Sequence, residues 1–328
     1  MDEAGPYGGA REGVSGRDAP DPPILPAMSA PTALRVLLHQ IVDYAGLFPP
    51  AALPMDRAVA GYAAYLDTDE RWMLGRFVVP VARLEELERA AAALLPAVPA
   101  DAWRLSALVG PDVGADVKAI GEFNCRHGAE GAGAAAVDMV ELKAATPAEV
   151  VAARDRLPPW VTPFFEIPVD RDPSALVDAI AQADARAKVR TGGVTPDAFP
   201  AARDLARFLA ECVRAGVPFK ATAGLHHPLR AEYPLTYEPG CARGTMYGFL
   251  NVFLAAALLR SGAADVGDAA VLLEERDPSS ITAADDALTW RGHRFDRGAL
   301  GEARRLALSF GSCSFEEPVR DLRALGFL

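Results

Sequence analysis

Residues 185–193 read ARAKVRTGG and residues 217–228 read VPFKATAGLHHP, and these two stretches decide the fold. Each contains a short apolar run with one lysine, Lys188 or Lys220, and a helix-like segment separates them. The two lysines are 32 positions apart, which is about the length of one strand-plus-helix unit of a parallel α/β fold. The spacing therefore predicts two adjacent parallel strands, each with one lysine.

Lysine is rare in this chain. Of the 33 Lys and Arg residues only four are lysine, at positions 118, 143, 188 and 220, and three of these lie in strand-like runs. Arginine keeps its proton in proteins, whereas the pKa of a buried lysine can fall far enough for the amine to act as a nucleophile or base. The competing interpretation is that Lys188 and Lys220 are ordinary surface cations.

The rest of the chain repeats the same alternation. Apolar runs GRFVVPV (75–81), WRLSALVG (103–110), AVDMVELKA (136–144) and VTPFFEIPV (161–169) are each followed by a segment with helical periodicity. IVDYAGLF (41–48) adds a further strand, and the eighth is placed around 308–312. Near-continuous apolar strands with short connections are typical of a parallel sheet covered on both faces. No glycine-rich nucleotide-binding motif follows any strand, so we predict an α/β fold of the (β/α)8 TIM-barrel type.

The pattern divides the chain into three parts. Residues 1–30 are rich in Gly, Pro and Asp and predict a disordered tail. Residues 31–228 form the barrel body, and residues 229–328 form a mostly helical extension that completes or caps the barrel. Within the extension, 229–247 is predicted as a polar loop and 287–296 as a hairpin. The apolar helix of 248–262 could form a homodimer surface or cover one end of the barrel.

Composition excludes several classes of function. The formal net charge is −11, which argues against nucleic acid or an anionic membrane as a partner. The four cysteines form no CxxC pair and predict neither a zinc knuckle nor a disulfide framework. No apolar run reaches the roughly 18 residues of a spanning helix, and no signal-peptide pattern is evident. A cytoplasmic protein is the expectation.

Six short motifs occur in an order that resembles the class I (Schiff-base) aldolases of the deoxyribose-phosphate aldolase type. IVDYAGLFPPA resembles that family's I-D-x-T-x-L-x-P segment, FVVPVARL its V-x-P strand, AVDMV its strand with an acidic proton-relay residue, and FFEIP its next strand with a glutamate. The stretch beginning at Lys188, KVRTG, matches K-x-x-T-G, and the stretch beginning at Lys220, KATAGL, is similar to K-A-x-x-G-I. The resemblance covers residues 41–225.

The resemblance implies a metal-independent carbon–carbon lyase without a cofactor, acting on a small aldehyde or ketone. It implies that Lys188 forms the imine, that Lys220 lowers the pKa of Lys188, and that Asp138 moves protons. A lysine attacks a carbonyl only as the neutral amine, so about 3 units must be removed from a pKa near ~10.4. Two neighbouring ammonium groups would each disfavour charge on the other. From the residues alone, the two lysines could exchange roles.

The acidic residues leave alternatives open. Glu141 has the opposite strand parity from Asp138, so an undistorted strand cannot point both into the barrel, and Glu141 lies nearer the carboxyl end where barrel enzymes place their chemistry. Glu166 is either a catalytic acid/base or an ion-pair partner of Lys143 or Lys188. Asp43 could line the barrel floor or, with Tyr44, fix the entry turn.

Other candidates would bind substrate. Arg190 shares the face of Lys188 and could bind a carboxylate or phosphate, or form a structural ion pair. Thr191 and Thr222 lie in the two lysine motifs. His226 and His227 follow a strand directly, and adjacent residues of an extended segment point in opposite directions, so at most one faces the site easily.

One departure from the family concerns the substrate phosphate. Family members hold it with backbone N–H groups of small-residue turns, whereas here Gly224 is followed by Leu225, His226, His227 and Pro228. The GSCS stretch at 311–314 could be a replacement anion site or a helix cap. Deoxyribose 5-phosphate is therefore not implied as the substrate.

Two other functions compete with the aldolase. The first is a metal-dependent barrel lyase or hydrolase in which His226 or His227 joins Glu141 and Glu166 as ligands of Zn²⁺ or Mn²⁺. The absence of an HxH motif argues against it. The second is a barrel without catalysis that acts as a binding or assembly module.

Overall fold

The barrel predicted from the sequence is confirmed. The computed structural model describes residues 30–129 and 132–328, so residues 1–29 of the predicted tail lie outside the described residues. Seven strands of the barrel come from the body of the chain: β1 (Val42–Tyr44), β2 (Leu74–Pro80), β3 (Trp103–Leu108), β4 (Ala135–Lys143), β5 (Thr162–Glu166), β6 (Arg186–Arg190) and β7 (Phe219–Thr222).

Residues 229–328 supply the eighth strand of the barrel. Two short strands, β8 (Ala231–Pro234) and β9 (Arg243–Met246), form an antiparallel hairpin in the stretch that we predicted as a loop. A three-stranded sheet follows, made of β10 (Ile281–Ala283), β11 (Ala287–Trp290) and β12 (His293–Asp296), and β11 and β12 are the hairpin expected at 287–296. The last strand, β13 (Ala307–Ser312), closes the barrel in the order β1-β13-β7-β6-β5-β4-β3-β2 with parallel pairing.

Helices cover the outside of the barrel. They are α1 (Thr32–Leu38), α2 (Met55–Leu66), α3 (Leu84–Ala91), α4 (Val113–His127), α5 (Pro147–Arg154), α6 (Ser174–Gln182), α7 (Ala202–Ala215), α8 (Phe249–Arg260), α9 (Val266–Leu273), α10 (Arg297–Arg304) and α11 (Glu316–Ala324). The start of α5 is fixed by a capping box, because the Thr146 hydroxyl accepts from the Glu149 N–H while the Glu149 carboxylate accepts from the Thr146 N–H.

The long apolar helix α8 is enclosed by its own chain. All of its residues from Phe249 to Leu259 are buried, and the helix packs against α7, α9, α10 and β13. An apolar surface that is already covered cannot drive association with a second copy. This helix therefore does not supply the homodimer surface that was one of its two predicted roles.

A bulge in β4 changes which of its side chains face the barrel interior. Leu105 pairs with Val137, but the next residue, Ser106, pairs with Met139, so Asp138 is the extra residue. After the bulge, Met139 and Glu141 both face Lys220, whose Nζ lies 3.9 Å from the Met139 Sδ and 2.7 Å from Glu141 Oε1.

Within the described residues, no helix combines the length and the apolar character needed to cross a membrane.

Candidate active site

A cavity of about 250 Å³ opens at the carboxyl ends of the barrel strands. Its walls are largely apolar and include Phe48 after β1, Val78 on β2 and Leu108 on β3. The β8–β9 hairpin contributes Leu235 and Met246. In enzymes of this fold, the loops at this end of the barrel carry the active site.

A chain of alternating charges lies at the base of this cavity. Glu141 on β4 stands between the two lysines, with Oε2 2.7 Å from Lys188 Nζ and Oε1 2.7 Å from Lys220 Nζ. Lys188 and Lys220 occupy the same level of the barrel because they are paired across β6 and β7. The Ser106 hydroxyl also donates to Glu141 Oε1, at 2.7 Å.

Each lysine has a second carboxylate. Lys220 donates to Asp43 Oδ2 at 2.6 Å, and the same carboxylate accepts from the Ser309 hydroxyl and the Arg76 N–H. Lys188 lies 2.9 Å from Glu166 Oε2 on the neighbouring strand. The order of the network is therefore Asp43, Lys220, Glu141, Lys188, Glu166, with three carboxylates for two amines.

The carboxylates determine the protonation of this network. Burial alone would lower the pKa of Lys220, but Asp43 and Glu141 outweigh it and raise that pKa above its ordinary value. Burial likewise favours the neutral form of Glu141, and the two lysines outweigh it and lower the pKa of Glu141 far below its ordinary value. The prediction that the two amines depress each other's pKa is thus wrong for Lys220, because a carboxylate separates them.

The two lysines differ in access to the cavity. The Lys220 side chain is completely buried, whereas 8% of the Lys188 side-chain surface is exposed to solvent. Lys188 also has its second partner, Glu166, near the rim, where this side chain is 11% exposed. Of the two amines, Lys188 is the more accessible from the cavity.

Asp138, predicted to move protons at the imine, lies elsewhere. Its carboxylate accepts from Arg76 Nε at 2.7 Å and from Arg104 Nε at 2.8 Å, in the amino-terminal halves of their strands. These two guanidinium groups outweigh burial and hold the pKa of Asp138 below its ordinary value. Asp138 does not line the cavity. The bulge gives Glu141, rather than Asp138, the position between the lysines.

The threonines of the two lysine motifs have different surroundings. Thr191 is fully buried, and its hydroxyl donates to the Ala223 carbonyl at 2.7 Å, so it joins the ends of β6 and β7 instead of facing a substrate as predicted. Thr222 does line the cavity. Gly224, at φ +72°, lies where a Cβ would approach Gly192 Cα to 3.2 Å. The glycines of both motifs are therefore needed for these loops to pack together.

The side chains of His226 and His227 lie in different surroundings, as expected for adjacent residues of an extended segment. His226 lines the cavity, and burial together with His227 lowers its pKa to about 4, so its ring is neutral at pH 7. His227 does not line the cavity. Its ring stacks on Tyr233 at 3.5 Å and contacts the Asp321 carboxylate through Nδ1. His227, the other candidate, is thus not placed to bind substrate in this cavity, in line with the expectation that at most one of the two histidines faces it.

Three polar residues of the network were absent from the predicted site. Asp43 was considered only for the barrel floor or the entry turn, and Ser106 and Ser309 were not considered. Each has an apolar or aromatic residue on both sides, in VDY, LSA and LSF. That isolation was the available signal, since a polar side chain buried in a barrel strand must find a partner.

The metal-dependent alternative required His226 or His227 together with Glu141 and Glu166. Both oxygens of Glu141 are occupied by amines, and His227 is paired with Asp321. Across residues 30–129 and 132–328, no group of three or more His, Cys, Asp and Glu side chains is arranged to hold a metal ion. The predicted ligands are therefore not brought together.

No protein-family model matches the chain, and no curated protein matches it. Among solved structures, the chain is similar to a triple mutant of the organophosphorus hydrolase from Deinococcus radiodurans. The two share 14% identity at a TM-score of 0.28, over 59% of this chain and 68% of that one. A likeness at this level carries no argument about activity or substrate.

Proposed function

We propose that the protein is a carbon–carbon lyase of the class I aldolase type, acting on a small aldehyde or ketone through an imine on Lys188. The observation that carries the proposal is the position of the Lys188 amine on the cavity wall, 2.7 Å from Glu141 and 2.9 Å from Glu166, with the buried Lys220 beyond Glu141. The resemblance of the two lysine motifs to those of Schiff-base aldolases supports the same assignment.

The first step requires Lys188 to lose a proton. Glu141 is a poor acceptor, because Lys220 keeps it ionised and lowers its pKa. Glu166 is within hydrogen-bonding distance of the same amine and is partly exposed, so it can pass the proton to solvent. The free amine then attacks the carbonyl carbon, the carbonyl π electrons move to oxygen, and that oxygen leaves as water after accepting two protons.

The carboxylates favour the product of this step. When Lys188 loses its proton, the positive charge that Glu141 and Glu166 stabilise disappears. The protonated imine then restores a positive charge at the same nitrogen. The positive charge of the intermediate thus stays beside Glu141 and Glu166, and its single N–H donates to one of them. A positive imine is the electron sink that carbon–carbon cleavage needs.

Cleavage then follows with balanced electrons. A base removes the proton of the hydroxyl on the β carbon, the C–O bond becomes a carbonyl, and the electrons of the carbon–carbon bond move to form an enamine on Lys188. Protonation of the enamine carbon and hydrolysis by water release the second product and the amine. We assign the removal of the hydroxyl proton to the Glu166 carboxylate or to the neutral His226 ring, which lines the same cavity.

Borohydride trapping tests the proposal. Protein incubated with acetaldehyde or acetone and then reduced should carry one stable adduct, and peptide mapping should place it on Lys188. Lys188→Arg should abolish the adduct, because arginine keeps its proton. Lys118→Arg is the matched control, since Lys118 is an exposed helical lysine paired only with Glu122, and it should label as the unmodified protein does.

Two other outcomes would take the imine-forming role away from Lys188. An adduct that persists in Lys188→Arg and maps to Lys220 would exchange the two lysines. A protein that forms no adduct with any carbonyl compound, and that contains stoichiometric metal by elemental analysis, would replace the aldolase with metal-dependent chemistry.

A further inference from the structure

We propose that the carbonyl substrate carries a carboxylate group, which Arg190 binds at the mouth of the cavity. This inference rests on the proposed imine chemistry at Lys188 and adds the class of substrate. The observation behind it is a charged side chain that lines the cavity but is not part of the ion network.

Arg190 is the unengaged cation of the cavity. Among the residues that line it, Lys188 and Lys220 each contact two carboxylates, and Glu141 is shared between them. In the described parts of the chain, the exposed Arg190 side chain forms no ion pair with any acid, and the one hydrogen bond that it donates is a long one, 3.5 Å, to the Gly192 carbonyl. In a chain with 11 more acidic than basic charges, a guanidinium left without an acid beside a reactive amine is available for an anionic ligand.

The strand sets where that anion would lie. Arg190 is two residues beyond Lys188 on β6 and shares its face, so the two Cα atoms are about 6.6 Å apart along the strand direction, toward the cavity mouth. A substrate whose carbonyl reaches Lys188 would thus place a group a few bonds away beside the guanidinium. Because both residues stand on one strand of the barrel wall, their spacing is fixed by the fold.

The charge and shape of the site favour a carboxylate over a phosphate. A guanidinium presents two parallel N–H donors that match the two oxygens of a carboxylate. One unengaged guanidinium balances one negative charge, whereas a phosphate monoester carries nearly two at neutral pH. The other walls of this cavity near the mouth are apolar, with Phe48, Val194 and Leu235 among them, so the lining itself offers no second unengaged cation.

Trapping with matched carbonyl compounds tests this inference. Pyruvate and glyoxylate carry a carboxylate directly on the carbonyl carbon, succinic semialdehyde carries one two methylene groups away, and acetone and acetaldehyde carry none. At least one carboxylated compound should label Lys188 at a concentration about 10-fold or more below that needed for the neutral compounds. Arg190→Gln should weaken labelling by the carboxylated compounds about 10-fold or more relative to labelling by acetone, so that their advantage is lost.

Lys143→Gln is the matched control. Lys143 ends β4 near the same rim, is exposed and forms no ion pair in the described parts of the chain; it does not line this cavity, but it lines an adjoining one together with Lys188 and Arg190. Its removal takes away the same charge from outside the cavity, so the preference for carboxylated compounds should remain, and a loss of that preference would move the anion from Arg190 to Lys143. Arg190→Lys should keep part of the preference, since it keeps the charge but not the paired donors.

Each other result overturns the inference in a recognisable way. If acetone and acetaldehyde label Lys188 but carboxylated compounds gain nothing, or if Arg190→Gln changes all compounds equally, the carboxylate assignment fails and the imine chemistry stands. If dihydroxyacetone phosphate labels best and depends on Arg190, the anion is a phosphate. If no compound labels Lys188, the proposed function itself fails.

Discussion

Replacing Glu141 by glutamine should destabilise the protein strongly. Glutamine has nearly the same shape, so the change removes the charge and turns one oxygen into an N–H donor. Its oxygen can still accept from Ser106 and Lys220, but the new NH2 group would face the Lys188 ammonium at about the 2.7 Å now spanned by an ion pair. Removing one partner of a buried ion pair costs about 3–5 kcal/mol, because a charge is left without compensation.

That loss is large beside the stability of a typical domain, about 5–15 kcal/mol. Urea denaturation at pH 7.5 measures it as a change in the free energy of unfolding with an unchanged slope. The surface control is Glu86→Gln, which removes a carboxylate that accepts two hydrogen bonds from Arg83 on an exposed helix. It should change stability far less, because water screens this pair.

A double-mutant cycle isolates the cause. Combining Glu141→Gln with Lys188→Met removes the ammonium that the new NH2 group would face, so the double variant should recover about 2 kcal/mol or more relative to additivity. A loss from Glu141→Gln below about 1 kcal/mol, or strict additivity with Lys188→Met, would refute the argument that Glu141 holds the two charges together.

Two further predictions concern residues on either side of the site. Asp138→Asn should leave trapping at Lys188 within about twofold of the unmodified protein, while the loss of its two arginine contacts lowers the free energy of unfolding by about 1–3 kcal/mol; a large loss of trapping would restore Asp138 to the mechanism. The pKa of His226 is about 4 in the folded protein against an ordinary 6.5, so the unfolded chain binds more protons between these values. Lowering the pH from 7.5 to 5 should therefore reduce the free energy of unfolding by about 2 kcal/mol more in the unmodified protein than in His226→Gln. Equal pH dependence of the two proteins would contradict the burial of a neutral ring.

The barrel could be predicted because its signal is local. Each wall strand is a short apolar run bounded by turn residues, and the helices between them have their own periodicity and caps. The spacing of Lys188 and Lys220 also predicted their adjacency, because parallel strands joined by one helix are neighbours in such a barrel. Their pairing across β6 and β7 is in the structure.

The site was harder to predict because it depends on register. Strand alternation from Asp138 would point Glu141 away from the barrel interior, but a single bulged residue in β4 turns Glu141 inward. Glu141, and not Asp138, therefore lies between the two lysines. The sequence displays two lysines but does not show which carboxylates separate them, so it gave the wrong direction for the pKa of Lys220. Asp43 and Ser309 meet only when β13 closes against β1, a contact between residues 266 positions apart.

That last contact bears on how the protein is made. Asp43 emerges early in synthesis and Ser309 late, and until β13 arrives both β1 and β7 present unpaired backbone edges to the surroundings. A nascent chain that has reached only β7 holds the amine of Lys220 beside an acid that still lacks its serine neighbour. The last strand to be synthesised thus completes both the wall of the barrel and the hydrogen bonds of Asp43.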